Sequence, residues 1–136
     1  MRVKALAVPF AVGMALTGVA LAAPASYADT TAGAITLSDT DNGTAVSVHA
    51  GDTVTVQLTG STGNGMTWTW STPTASSSDV LTLTNSASLG GGSVTATFQA
   101  NATGTTDITS VKGCVPDPGH FCSHLLQQWK ATVTVN

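Results

Sequence analysis

The sequence predicts an all-β domain: an antiparallel two-layer sandwich of seven or eight strands, preceded by a secretory leader. Three observations carry this reading. Apolar residues recur at every second position in short runs, the period of a strand with one buried face. The runs are bounded by Gly, Asn, Asp and Ser, residues that suit turns. Threonine fills many alternate positions, because its β-branch favours extended backbone while its hydroxyl tolerates water, and helix formers are scarce.

Arg2 and Lys4 precede an apolar run from Ala5 to Ala23, and Ser26-Tyr27-Ala28 follows it. This is the pattern of a signal peptide with a small-residue cleavage site, so residues 1–28 are set apart from the fold and the protein is expected to be secreted. The run is also long enough to span a bilayer, so an uncleaved anchor is the alternative. Residues 29–136 then form one small domain with one modest core, too short for a multidomain enzyme.

The strands follow in order. Ile35 and Leu37 open the pattern, Val46 and Val48 continue it, and Val54, Val56 and Leu58 follow the turn signal Gly51-Asp52. Trp68 and Trp70 alternate with threonines, as do Leu81 and Leu83. Val94, Ala96, Phe98 and Ala100 form the next run, Ile108 marks another, and Trp129, Ala131, Val133 and Val135 the last. Eight runs at this spacing favour immunoglobulin-like architecture, with a small barrel as the alternative. At least one of Trp68 and Trp70, which share a strand face, is expected in the core; an exposed aromatic platform for sugar is the other reading.

Charge excludes some functions. Beyond the leader, Lys112 and Lys130 oppose seven aspartates and no glutamate, a net charge of 2 − 7 = −5. Nucleic-acid binding requires clustered Lys and Arg to neutralise phosphate, and the chain has no such cluster. His49, His120 and His124 lie in no recognisable catalytic context, no nucleophile-elbow motif occurs, and no pair of carboxylates is placed for hydrolysis. No catalytic residue, metal or cofactor is therefore expected, nor any membrane partner after leader cleavage.

Cys114 and Cys122 are the only cysteines, and in a secreted chain they are expected to pair. Cys114, His120, Cys122 and His124 could alternatively ligate a metal, although their spacing fits none of the usual zinc patterns. Asn42-Gly43-Thr44 and Asn101-Ala102-Thr103 match the glycosylation pattern but read equally as turns. Two Gly-rich loops stand out: Gly60 to Met66 before the tryptophan strand, and Leu89-Gly90-Gly91-Gly92 before the Phe98 strand.

The order of these features resembles the chagasin-type inhibitors of papain-like cysteine proteases, over approximately residues 45 to 136. Family members have a strand ending in Leu and then a loop N-P-T-T-G-Y-x-W. Here Leu58 is followed by Ser61-Thr62-Gly63-Asn64-Gly65-Met66-Thr67-Trp68, in which Gly65 and Trp68 match in place. The family's G-x-G-G loop corresponds to Gly90-Gly91-Gly92, followed by Ser93 where Thr is usual, and Gly104-Thr105 resembles the A-G-T that opens the next strand. The third family loop, R-P-W, has no counterpart: Lys112-Gly113-Cys114-Val115-Pro116 stands in its place.

The resemblance implies a non-enzymatic, monomeric inhibitor whose three loops enter the cleft of a papain-like protease without a covalent bond. Residues 61 to 66 would lie over the catalytic Cys-His pair, with glycine permitting close approach. Gly91 and Gly92 would flank one side, and the 114 to 122 loop, through Phe121 and the Val115-Pro116 edge, would contact the other. A carbohydrate-binding or adhesion module is the rival reading, as is the same fold without inhibitory activity.

Overall fold

The computed structural model describes Ala32–Asn136; the leader expected over residues 1–28 lies outside the described residues. These form two packed sheets. The strands are β1 (Ala34–Ser38), β2 (Ala45–Val48), β3 (Thr53–Leu58), β4 (Ser61–Gly63), β5 (Met66–Trp70), β6 (Thr74–Ala75), β7 (Leu81–Ser88), β8 (Val94–Ala100), β9 (Gly104–Pro116) and β10 (Gln127–Val135). One sheet has the order β1-β3-β8-β7; the other has β2-β10-β9-β5-β4, with β6 also paired to β9. All eight apolar runs are strands. The two additional strands, β4 and β6, carry no apolar alternation, which is why the pattern does not reveal them.

Two pairings depart from the antiparallel rule: β1 runs parallel to β3, and β2 parallel to β10. Both are first strands laid along an outer edge, where a parallel ladder closes without a long crossover inside the sheet. β5 and β6 both pair along the same flank of β9, Trp70 opposite Lys112 and Thr74 opposite Thr109. Pro73 sits in the break, where its missing N–H would interrupt any ladder. Ser71 and Ser110 bridge the gap: Ser110 Oγ donates to Ser71 O at 2.6 Å, and Val111 N donates to Ser71 Oγ at 3.0 Å.

The alternation puts one core between the sheets. Val54, Val56 and Leu58 of β3 and Val94, Ala96, Phe98 and Ala100 of β8 face Ile108 of β9 and Trp129, Ala131, Val133 and Val135 of β10. Burying each Val, Leu, Ile or Phe side chain stabilises the fold by roughly 1.5–3 kcal/mol before conformational entropy is counted. β7 is the exception. Its Leu81 is buried, but Leu83 is 39% exposed, and a register irregularity between Leu83 and Asn85 leaves the rest of the strand overhanging the core.

At the pole where β3 begins, Asp52 ties three segments. Its carboxylate accepts hydrogen bonds from Gly33 N at 2.7 Å and His49 N at 2.8 Å. These two bonds, that from His49 first, hold its pKa below the ordinary 3.8. A depressed carboxylate contributes stability above its ordinary pKa and loses it as pH falls through the lower folded value. Asp52→Asn is therefore expected to lower the urea midpoint at pH 7 and to narrow its gap to wild type as acid approaches. A constant gap down to pH 2 would exclude this role.

Candidate functional site

The three expected loops meet at the opposite pole. The first is a β-hairpin rather than an irregular loop. β4 and β5 pair Gly63 with Met66, so Asn64-Gly65 forms a two-residue turn. Both residues have positive φ, 55° and 77°, the combination of a type I′ turn, for which Asn-Gly is the preferred sequence. Ser61, Thr62, Gly63 and Asn64 are exposed at its tip, while Gly65, Met66 and Trp68 are half-buried.

Gly90–Gly92 form the tip joining β7 to β8, and this tip lies against the hairpin's base. Gly60 N donates to Ser93 Oγ at 2.9 Å. A Cβ at Gly60 would collide with the Gly91 and Gly92 backbone, and one at Gly92 with the backbone of Trp68 and Thr69. These glycines serve contact between loops of this chain. Ser93, at the position where the family has Thr, supplies the hydroxyl that fixes that contact.

The third loop closes on the hairpin's other flank. β5 pairs with the end of β9, Met66 opposite Pro116 and Trp68 opposite Cys114, and Asp117 N donates to Gly65 O at 2.9 Å. The His120 ring then lies over Gly65, where a Cβ would fall within it. Gly65 therefore makes room for the protein's own His120. At this pole the glycines that face open space are Gly63, Gly90, Gly119 and, apart from the Thr62 methyl at 4.0 Å, Gly91.

Cys114 and Cys122 form a disulfide with Cα atoms 6.0 Å apart, which resolves the choice between pairing and metal ligation at these sulfurs. Cys114 lies within β9, which runs on to Pro116, so the bridge fastens the loop directly to a strand. Because opposed residues share a sheet face, Trp68 stands beside Cys114 on the face that also carries Trp70. Val115 and Phe121 are exposed, Phe121 by 92%.

All thirteen expected contact residues thus fall at one pole, in the order Gly90–Gly92, hairpin 61–66, loop 114–122. Four residues outside the expected contact set, Gly60, Ser93, Asp117 and His120, hold the loops side by side. A glycine two residues after a strand-ending Leu was a visible signal for Gly60. The other three act through contacts 33 to 55 residues distant in sequence or through a ring stacked on a glycine, which no local pattern reports.

The pole's tryptophans bolt the two sheets together beneath the loops. Trp70, 6% exposed, donates from Nε1 to Thr59 O at 3.0 Å, and Trp129, 1% exposed, to Ser38 O at 3.0 Å. The Lys112 ammonium lies 5.1 Å from the Trp70 ring centroid. Of the two tryptophans considered for a sugar platform, Trp70 is buried in the core and Trp68 is half-buried. The Asn42 carboxamide accepts from Lys130 N at 2.9 Å, consistent with a turn-forming role.

No family model matches the sequence, and no curated protein matches it. Solved structures do. The chain is similar to the cysteine protease inhibitor EhICP2 from Entamoeba histolytica, with a TM-score of 0.55 and 15% identity over 76% of this chain and 96% of that one. It is also similar to amebosin, with a TM-score of 0.49 and 14% identity over 78% and 99% of the two chains. A third similar structure is PbICP-C in complex with falcipain-2, with a TM-score of 0.45 and 15% identity over 76% and 98%. The chain therefore shares its fold with a cysteine protease inhibitor, the class that its loop motifs resemble.

Proposed function

We propose that this protein is a secreted, non-covalent inhibitor of papain-like cysteine proteases that blocks the cleft with the three loops at one end of its sandwich. The observation that carries the proposal is their mutual bracing. Gly60 N to Ser93 Oγ on one flank and Asp117 N to Gly65 O on the other join three segments distant in sequence into one narrow surface. Its centre carries small side chains and no charge: Ser61, Thr62, Gly63 and Asn64. Such a wedge fits a groove whose nucleophile must be covered but offered no scissile bond in register.

Preorganisation supplies the energetic logic. Ordering a free loop costs about 1–2 kcal/mol per residue of backbone, and loops already held by strand ends, cross-loop hydrogen bonds and a disulfide avoid much of that cost on binding. The test is a titration of the mature domain against papain that has been activated and then freed of thiol. Reversible inhibition is expected, competitive with a peptide substrate, and Cys114→Ser/Cys122→Ser is expected to weaken it by about tenfold, equivalent to about 1.4 kcal/mol of loop ordering. A domain that leaves papain and its relatives fully active at high micromolar concentration would remove the proposal.

A further inference from the structure

We propose, on the basis of the inhibitor reading above, that the third loop is the specificity-determining arm, with Phe121 as its anchor, and that the target is a papain-like protease with an apolar wall beside its catalytic groove. The large hydrophobic side chains exposed among the described residues are Leu83, Leu89, Val115, Phe121, Leu125 and Leu126. All but Leu83 belong to this pole: Val115 is in the last residues of β9, and Phe121, Leu125 and Leu126 lie between β9 and β10. The other two loops contribute almost no apolar side-chain area. The hairpin tip is Ser-Thr-Gly-Asn, and Gly90–Gly92 have no side chains, leaving only Leu89 on that flank.

The fold does not need these groups. Phe121 is 92% exposed, Leu125 74% and Leu126 71%, so they add little to the core. Large apolar side chains gathered at one place on the surface of a small protein mark a contact site, and interface energy concentrates in a few buried anchors, aromatic ones above all. Leu126 reaches over Gly113, where a Cβ would lie 3.2 Å from its Cδ2. Val115, two residues further along β9, shares that outer face, so Leu126 and Val115 form one apolar strip.

Phe121 is set apart from that strip by the disulfide. Its neighbour Cys122 is bonded to Cys114, and Cys114 lies on the opposite, inward face of β9 beside Trp68. The loop thus carries apolar side chains at two places fastened to one rigid strand. A partner wall that accepts them must be apolar and must lie on the hairpin's His120 side. The hairpin excludes substrate, while this arm supplies affinity and selects the partner.

The test compares wild type, Phe121→Asp, Phe121→Leu and Leu126→Asp against two papain-like proteases, papain itself and one whose substrate pockets prefer charged side chains. Wild type is expected to inhibit papain at least tenfold more tightly than the second enzyme. Phe121→Asp should weaken papain inhibition by about 100-fold, Leu126→Asp by about tenfold, and Phe121→Leu by less than tenfold, with melting temperatures unchanged throughout. If wild type inhibits neither enzyme, the inhibitor reading fails and this inference with it. If wild type inhibits but Phe121→Asp inhibits equally well, only the anchor assignment fails. A lowered melting temperature for Phe121→Asp, or a wild-type dimer that this substitution dissociates, would also overturn it, by showing that the side chain serves the fold or a second copy of the chain.

Discussion

Tryptophan at Gly90 is expected to abolish inhibition, by at least about 100-fold, while leaving the free protein as stable as wild type. Gly90 is exposed, its φ is not positive, and a Cβ there meets no heavy atom within 4 Å. A bulky side chain can therefore be carried without strain until a protease tries to close around the tip. Tryptophan at Gly65, the position that a motif comparison would choose for the same experiment, reports something else. Its backbone sits at φ 77° and its open side is filled by the His120 ring. A left-handed conformation costs an L-residue roughly 1–2 kcal/mol, and the ring must also move. Gly65→Ala already imposes both penalties. The two sites are separated by comparing Gly90→Trp, Gly65→Trp and Gly65→Ala for melting temperature and for inhibition. Only the Gly65 variants should lose stability, and Gly65→Ala should lose inhibition that Gly90→Ala retains. Equal inhibition by Gly90→Trp and wild type would show that the Gly90–Gly92 tip never meets the protease.

That contrast marks how far the fold and the candidate site were legible in the residues. The core strands were legible because burial on one face imposes a period of two, and every apolar run from Ile35 to Val135 became a strand. The Asn64-Gly65 turn follows from the same local chemistry, since few residue pairs tolerate two positive φ values in succession. The fate of Leu83 was not legible. Its alternation with threonine is ordinary, but whether an inward-facing leucine is covered depends on how far the opposite sheet extends, which is a property of the whole sandwich. Gly60, Gly65 and Gly92 show the same limit: the sequence marks close approach, and only the fold reveals that the approaching group belongs to this chain. The disulfide was legible from the cysteine count and the expectation of secretion, whereas its attachment within a thirteen-residue strand was not.

Trp129→Ala is expected to destabilise the domain by about 3–5 kcal/mol, the largest effect of any single substitution considered, against the 5–15 kcal/mol that typically holds a domain folded. Trp129 is 1% exposed and heads the fully buried side chains by volume, so truncation opens a cavity between the sheets. It also removes the Nε1 donor to Ser38 O, leaving the carbonyl that ends β1 without that partner. Trp129→Phe retains much of the volume and loses the hydrogen bond, so about 1 kcal/mol of its total loss should reflect that bond. Urea denaturation of both variants separates packing from hydrogen bonding, and a loss below 1 kcal/mol for Trp129→Ala would mean the sheets are not clasped there. Trp70→Phe provides the complementary measurement. Its lost partner, Thr59 O, immediately precedes Gly60, so loosening that clasp should disturb the base of the hairpin and weaken inhibition more than Trp129→Phe does. The sheets and the loops are thus coupled through one indole: Trp70 belongs to the core at its ring and to the candidate site at its N–H.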